Sequence, residues 1–202
     1  MASMKEGMPW DWVTFPEYLD SVDRAPKAMN ILPYVPISPF LIWVLGMEDA
    51  KAGRKPTDAE HRELCRLINE AMDAGACGWS AQRMVPSGPA AVQRDYDGTP
   101  MPTDVMHDDT CREFAKILRQ RNEGFMQMLL ISGDSEKDRA FYEEMAEISG
   151  RPMIMNIVQA FDHKPEIHRA ALKWLASCRD RGIRVVGQGL TTDAGFTFTF
   201  EN

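Results

Sequence analysis

The apolar residues of the chain alternate between helical spacing and short unbroken runs. Within residues 56–75 they recur three or four positions apart, which predicts one buried face of a helix. Residues 125–131 and 151–159 are apolar runs bounded by glycine and polar residues, as expected of strands covered on both faces. Because strands and helices alternate, the pattern predicts parallel strands joined by right-handed crossovers, and therefore an α/β fold.

The predicted elements begin with a helix whose start is marked by a capping box, with Thr14 as N-cap and Glu17 as the third helical residue. Thr57 and Glu60 mark another helix in the same way. Residues 30–38 predict only an irregular strand, because their prolines cannot donate to a sheet. The segment 40–46 is apolar but ambiguous in type. The other predicted strands lie at 76–81, 125–131, 151–159 and 183–190. The other predicted helices are one capped by Asp108 or Asp109, one that starts at Ser132–Ser135 and one that starts at Pro165.

These elements predict one domain, residues 1–202, with a helical lead at 1–30 and βα units at 31–202. About five strands are expected, whereas a complete (β/α)₈ barrel takes roughly 250 residues. We therefore predict a partial TIM-like (β/α) barrel, with an open sheet as the alternative. In the tail, Phe196, Phe198 and Phe200 alternate with threonines, which suits a strand or extended edge. If the sheet is part of a barrel, its unpaired edge strands would have to be covered by another copy or another chain.

Composition excludes several kinds of partner. The net charge of −7 disfavours nucleic acid and anionic membrane surfaces. The longest apolar stretch is too short to cross a bilayer, and the N-terminus lacks a secretory signal, so we expect a cytoplasmic protein. The 4 cysteines form no CxxC pair and predict reduced, mostly buried thiols.

Three segments carry a resemblance to a known family. Residues 7–19 (GMPWDWVTFPEYL), 70–80 (EAMDAGACGWS) and 182–191 (GIRVVGQGLT) resemble stretches of the N-acyl-D-amino-acid deacylases, or D-aminoacylases, of the amidohydrolase superfamily. The resemblance implies the middle part of a metal-dependent barrel that hydrolyses amide bonds with zinc. It also implies that the family's early His-x-His strand precedes this segment and that its last catalytic Asp strand follows it.

The family's metal ligands do not carry over to this sequence. The chain contains no His-x-His, and two further family histidines would fall near Leu129 or Leu130 and near Ile157, which are aliphatic. We therefore predict no metal ligand and no cofactor in this chain, although zinc serves the resembled family. A catalytic zinc needs about three converging ligands.

The histidines do not supply a metal site by spacing either. His61 and Cys65 share a helix face and suit a two-ligand clip, but a surface histidine beside a half-buried thiol is favoured. His107 reads as a solvated loop residue, and His163 and His168 do not share a face.

Candidate binding residues are predicted from their position, because the functional groups of βα folds lie at the carboxyl ends of the strands. Ser132–Ser135 could hold an anion at a helix start, although N-capping by Asp134 or Ser135 is favoured. The strand amides of Gln127, Asn156 and Gln188 could bind a polar ligand or satisfy neighbouring backbone. The loop 83–107, which contains Asp104, is either a lid or binding loop or an ordinary solvent-exposed loop. The predicted substrate-binding residues are Ser80, Arg83, Ser132, Asp134, Gln159, Asp162 and Gln188, with Thr191 as a further candidate.

Three functional hypotheses result. The first is an amidohydrolase-like segment acting on amide C–N bonds of N-acyl amino acids, incomplete or inactive alone and completed by another copy or a complementing chain. The second is a non-catalytic binding or assembly protein built from a degenerate barrel. The third, a nucleotide-binding open sheet, lacks the glycine fingerprint.

Overall fold

Five parallel strands form one sheet in the order of the sequence. The fold was obtained as a computed structural model, which describes residues 9–84, 95 and 97–190. The strands are β1 (Val35–Pro36), β2 (Gly78–Met84), β3 (Phe125–Ile131), β4 (Met153–Val158) and β5 (Val185–Gly189). The helices are α1 (Phe15–Arg24), α2 (Ile37–Leu45), α3 (Met47–Ala52), α4 (Asp58–Asp73), α5 (Asp108–Arg121), α6 (Ser135–Ser149) and α7 (Pro165–Asp180).

The predicted α/β class and both capping boxes are confirmed. Thr14 and Thr57 each accept the backbone N–H of the third helical residue, and the glutamate there accepts the N-cap N–H in return. None of the helices in the described ranges is long and apolar enough to cross a membrane.

Residues 30–38 contain a short strand at Val35–Pro36, and the apolar stretch of ambiguous type after them is helical, since it lies within α2. The predicted cap of α5 was wrong. Helix α5 is not capped by an aspartate: His107 is its N-cap and makes no side-chain capping bond. The carboxylates expected to cap it are engaged elsewhere, Asp108 by Arg83 at 2.8 Å and Asp109 by Lys55 at 2.6 Å.

The outer face of the sheet carries the core. Trp79, Met126, Met153 and Val185 lie in register across β2 to β5, and all four are buried. The ring of Trp79 packs edge-to-face on Phe114 of α5, with 5.9 Å between ring centroids. Large apolar side chains in this layer remove the most surface from water, so this packing dominates the stability of the fold.

The opposite, inner face is open. Because side chains alternate along a strand, Ser80, Gln127, Ile154 and Val186 form one row on that face. Val186 is 53% exposed, and the other three are only half-buried. One side of the parallel sheet is thus covered by helices while the other retains solvent-exposed apolar surface.

Strands β2 and β3 approach each other closely where both begin. Gly78 has φ +138°, and a Cβ at that position would lie 1.8 Å from the carbonyl oxygen of Phe125. Only glycine fits this backbone at this distance.

The cysteines fit the expectation of free thiols. Cys77, Cys111 and Cys178 are buried and Cys65 is half-buried, and all four are free. Cys178 lies against Glu143 of α6, which also joins that helix to α7. The carboxylate of Glu143 accepts bonds from the indole N–H of Trp174 at 2.7 Å and from the Arg181 guanidinium at 2.6 Å. The Arg181 hydrogen bonds lower the pKa of Glu143 to about 2.

This carboxylate predicts a pH-dependent link between the two helices. Because the pKa of Glu143 falls from 4.5 unfolded to about 2 folded, its contribution is present above pH 4.5 and lost as the pH falls towards 2. Glu143→Gln should lower the free energy of unfolding by about 1–3 kcal/mol near neutral pH, and by much less near pH 2. Urea denaturation at both pH values measures this, with Glu147→Gln, exposed on the same helix, as control. An equal loss at both pH values would contradict the assignment.

Candidate functional site

The carboxyl ends of the strands meet along one edge of the sheet, which is where βα folds place their functional groups. On this edge β2 ends at Met84, β3 at Ile131, β4 at Val158 and β5 at Gly189. The predicted binding residues lie along it in several separate groups.

A cavity lies between β1 and β2 near this edge. Its volume is about 280 Å³, and its polar lining residues are Ser80 and Gln82 from the inner face of β2, with Ser38 and Thr103. The hydroxyls of Ser38 and Thr103 lie 3.5 Å apart. Pro36, Pro39 and Met101 add apolar walls. Uncharged hydroxyl and amide groups on an apolar wall suit a small neutral polar group such as an amide.

A pair of amides crosses the inner face beside this cavity. The side-chain N–H of Gln127 on β3 donates to the amide oxygen of Gln188 on β5 at 2.7 Å, spanning β4. Asn156 of β4 lies in register with Gln188. The Gln127–Gln188 pair therefore satisfies part of the hydrogen-bonding capacity of both amides, and both side chains remain accessible from the open face.

Arg83 lies at the end of β2 on the outer side, with a side chain that is only 12% exposed. Its guanidinium donates to Asp108 at 2.8 Å and to the carbonyl oxygen of Met106 at 2.6 Å. The guanidinium carbon also lies 5.3 Å from the ring centroid of Phe141. These contacts fix the arginine against the loop that precedes α5.

Asp104 was named in the sequence analysis only as part of the loop 83–107, and it was not among the predicted binding residues. The solvated interpretation of the loop 83–107 is wrong for it, since Asp104 is 6% exposed and accepts the backbone N–H of Met84 at 2.8 Å. Burial raises the pKa of this carboxyl, while the Met84 bond and Arg83 act in the opposite direction. The sequence feature that could have indicated its burial is the pair of apolar residues that follow it, Val105 and Met106, because apolar side chains favour a buried position. A buried carboxyl at a strand end is a common feature of binding and catalytic sites.

The predicted pair in the loop after β3 is engaged in local bonds. Asp134 caps α6 by accepting the N–H groups of Glu136 at 3.1 Å and Lys137 at 3.2 Å, as the capping interpretation predicted. Ser132 accepts the N–H of Asp134 at 3.1 Å. Bonds from the Lys137 and Glu136 backbone lower the pKa of Asp134. This loop is thus an acid-capped helix start, which repels an anion.

The remaining predicted residues lie further along the edge. Gln159 is half-buried directly after β4, and Asp162 is exposed in the loop before α7. Thr191 and the predicted Phe196–Phe200 strand fall outside the described residues.

Metal-binding groups do not converge on the inner face. Leu129 is in register with Gln82 and belongs to that face, whereas Leu130 points outward and its N–H donates to the Tyr142 hydroxyl at 3.0 Å. Ile157 lies where the register between β4 and β5 shifts. No group of three or more His, Cys, Asp or Glu residues that could hold a metal ion occurs within residues 9–84, 95 and 97–190. The side chains present therefore do not fit the zinc site of the resembled family.

Three of the four histidines, His61, His107 and His163, make contacts of their own. His61 bonds to the hydroxyl of Thr110 at 3.0 Å, and His107 to the carbonyl oxygen of Gly53 at 2.9 Å. His163 is exposed and packs its ring on Phe161.

Sequence comparison gives partial matches. No family model matches the chain. Over 80 residues it is 35% identical to the N-acyl-D-aspartate deacylase of Alcaligenes xylosoxydans xylosoxydans, which covers 40% of this chain and 15% of the deacylase. Over 70 residues it is 33% identical to an uncharacterized protein of Mycobacterium tuberculosis, covering 34% of this chain and 12% of that protein.

Structural comparison covers most of the chain. A D-aminoacylase mutant in complex with copper chloride aligns with a TM-score of 0.61 and 18% identity, over 87% of this chain and 33% of that chain. Another D-aminoacylase structure, described as defining a novel subset of amidohydrolases, aligns with a TM-score of 0.58 and 18% identity, over 81% of this chain and 32% of its own.

The parallel sheet and its connecting helices define the class as an α/β fold of βα units that matches part of the D-aminoacylase fold. Within that class the chain is similar to D-aminoacylase in fold and to N-acyl-D-aspartate deacylase in sequence, as its motifs indicated. It spans about a third of the length of the structures it matches and 15% or less of the curated relatives.

The buried carboxyl predicts a second pH effect, opposite in sign to that of Glu143. Because the folded pKa of Asp104 lies above its usual 3.8, its favourable contribution is complete below that pH and lost as the pH rises through the raised pKa. Asp104→Asn keeps an acceptor for Met84 and should raise the free energy of unfolding near neutral pH, because it removes a buried charge. Denaturation of this variant beside Asp20→Asn, an exposed control, tests this. A loss of stability at neutral pH would show that the charge is favourable there.

Proposed function

We propose that the chain is the middle part of an amidohydrolase-like barrel that acts on amide C–N bonds of N-acyl amino acids, and that it is incomplete or inactive alone. The alignment with D-aminoacylase, at a TM-score of 0.61, is the observation that carries this proposal. The sequence match to N-acyl-D-aspartate deacylase supports the substrate class.

The cavity between β1 and β2 is the proposed seat of the amide. Gln82 can donate to an acyl oxygen, and the hydroxyl of Ser80 can donate or accept at the neighbouring atom. The apolar walls exclude water and strengthen these bonds. The chain thus supplies binding groups at the edge where barrel enzymes bind their substrates.

The hydrolytic groups are proposed to come from segments that complete the barrel. Leu129 and Ile157 are aliphatic where the resembled family has imidazoles, so these positions cannot polarise a carbonyl or activate water. In the described chain β1 and β5 each pair on one side only, and Val186 on the inner face is exposed. Added strands from a complementing chain or a second copy would cover both, and we propose that this assembly is cytoplasmic.

Complementation tests the proposal. The chain is mixed with zinc and with the segments of the Alcaligenes deacylase that flank the matched region, and hydrolysis of N-acetyl-D-aspartate is measured. We expect turnover in the mixture and none with either component alone. In the mixture, Ser80→Ala combined with Gln82→Leu should lower kcat/KM about tenfold or more, equivalent to about 1.4 kcal/mol. Ser177→Ala, exposed on α7, is the control and should leave turnover unchanged.

An inactive mixture would contradict the hydrolytic role and favour the alternative, a non-catalytic binding or assembly protein. The aliphatic Leu129 and the exposed inner face are the observations that favour this alternative. Light scattering after size exclusion then decides whether assembly occurs, because a stable monomer contradicts any dependence on a second chain.

A further inference from the structure

A groove follows helix α1 at the β1 end of the sheet. Two adjoining cavities form it, with volumes of about 550 Å³ and about 560 Å³. Both are lined by Tyr18 of α1 and by Ile31 and Pro33 of the segment before β1, so they meet at these residues. The first cavity reaches Trp12, before the start of α1, and the second reaches Lys27, after its end. The groove therefore extends along the whole of α1.

Aromatic rings wall the first cavity, among them those of Trp12, Tyr18, Tyr34 and Trp43. The rings of Trp12 and Tyr18 pack edge-to-face, with 5.3 Å between ring centroids. Trp43 is 68% exposed, which is unusual for so large an apolar side chain. Indole and phenol rings combine a broad apolar face with one polar group, so they suit a partner that is apolar but carries hydrogen-bonding atoms.

The polar atoms of three of these rings have no protein partner. The indole N–H of Trp12 and the hydroxyls of Tyr18 and Tyr34 are accessible to solvent and make no hydrogen bond within residues 9–84, 95 and 97–190. The charged residues that line the same cavity, Arg66 and Glu70, bind each other. Among its described residues, the first cavity thus offers ring faces and uncharged donors and no unpaired charge.

The second cavity adds negative charge. Asp20 and Asp23 both line it. Lys27 pairs with Asp23 at 3.2 Å, whereas the exposed Asp20 has no ion pair or hydrogen bond in the described part of the chain. The groove therefore has an aromatic end and an acidic end.

We propose that this groove binds a proline-rich segment of another polypeptide, followed by a lysine or arginine. Each proline presents an apolar ring and a carbonyl acceptor but no N–H, which matches ring faces and unpaired donors. Proline-rich segments already adopt the polyproline helix before they bind, so little conformational entropy is lost. The basic residue complements Asp20 at the acidic end.

The length of the groove sets the length of the segment. Helix α1 has 10 residues, and an α-helix of that size spans about 15 Å. A polyproline helix rises about 3.1 Å per residue, so about five prolines reach from the aromatic end to the acidic end.

The proposal does not depend on the proposed amide hydrolysis, because peptide binding is measured without zinc, complementing segments or turnover. An inactive complementation mixture leaves it standing, and loss of peptide binding leaves the hydrolytic proposal standing.

A peptide titration followed by ¹H–¹⁵N NMR tests the groove. The probe is the peptide PPPPPK, and the reporters are the indole N–H signals of Trp12 and Trp43, with the buried Trp79 as internal reference. We expect saturable shifts of the first two signals and none of the third. The peptide AAAAAK, which keeps the charge and lacks the proline rings, should bind about tenfold more weakly or worse. The peptide PPPPPE should bind about threefold more weakly at low salt, because its charge is repelled by Asp20.

Two variants assign the two ends of the groove. Trp43→Ala removes an exposed ring and should weaken PPPPPK binding about tenfold or more, as reported by Trp12. Asp20→Asn should bring the affinities for PPPPPK and PPPPPE together. Leu172→Ala, which also truncates an exposed apolar side chain but lies on α7, is the matched control and should bind both peptides like the unmodified chain. Unchanged signals elsewhere in the spectrum verify that each variant folds.

Equal affinities for PPPPPK and AAAAAK, or no saturable shift of the Trp12 and Trp43 signals, would overturn the proposal. Shifts of both signals with protein concentration alone would also overturn it and assign the groove to a second copy of the chain. The comparison of the peptides on the unmodified chain decides this even where a variant does not fold.

Discussion

Within residues 9–84, 95 and 97–190, helices cover one face of the parallel sheet only, and the rest of the described structure depends on this constraint. Parallel sheets are ordinarily buried on both sides, because their crossover helices and the barrel interior exclude water. Here Trp79, Met126 and Met153 are fully buried under the helices, while Val186 on the inner face is 53% exposed. The face under the helices holds the core around which the chain folds. The inner face leaves exposed the surface that a closed barrel would bury.

Much of the fold could be predicted from the sequence because its signals are local. The strand at residues 125–131 was predicted with its observed bounds, and the capping boxes at Thr14 and Thr57 fixed two helix starts. The cap of α5 was mispredicted because Arg83 and Lys55, both distant in sequence, bind the carboxylates that were expected to cap it. Ion pairs between residues distant in sequence cannot be predicted from the spacing of apolar residues in a helix.

The candidate site was only partly predictable for the same reason. Strand-end position predicts Ser80, Arg83 and Gln188 as binding residues, and this stays a prediction, but it cannot predict which residues their side chains contact. Asp104 lies 21 residues after Arg83 in a proline- and glycine-rich loop, and its burial depends on a bond to the backbone of β2. A polar residue in such a loop is ordinarily solvated. Only the apolar residues that follow it indicate otherwise.

The two sides of the edge of the sheet differ chemically. The inner side offers uncharged groups, Ser80 and Gln82, in a cavity with aliphatic Leu129 nearby along the sheet. The outer side concentrates charge, with Arg83 and the buried Asp104 fixed by backbone bonds. A neutral amide suits the inner side, because uncharged hydroxyl and amide groups offer it both donors and acceptors. In the proposed assembly the inner face of this chain holds the amide with uncharged groups. Its aliphatic Leu129 cannot polarise a carbonyl or activate water, so the groups that cleave the amide have to come from the completing segments.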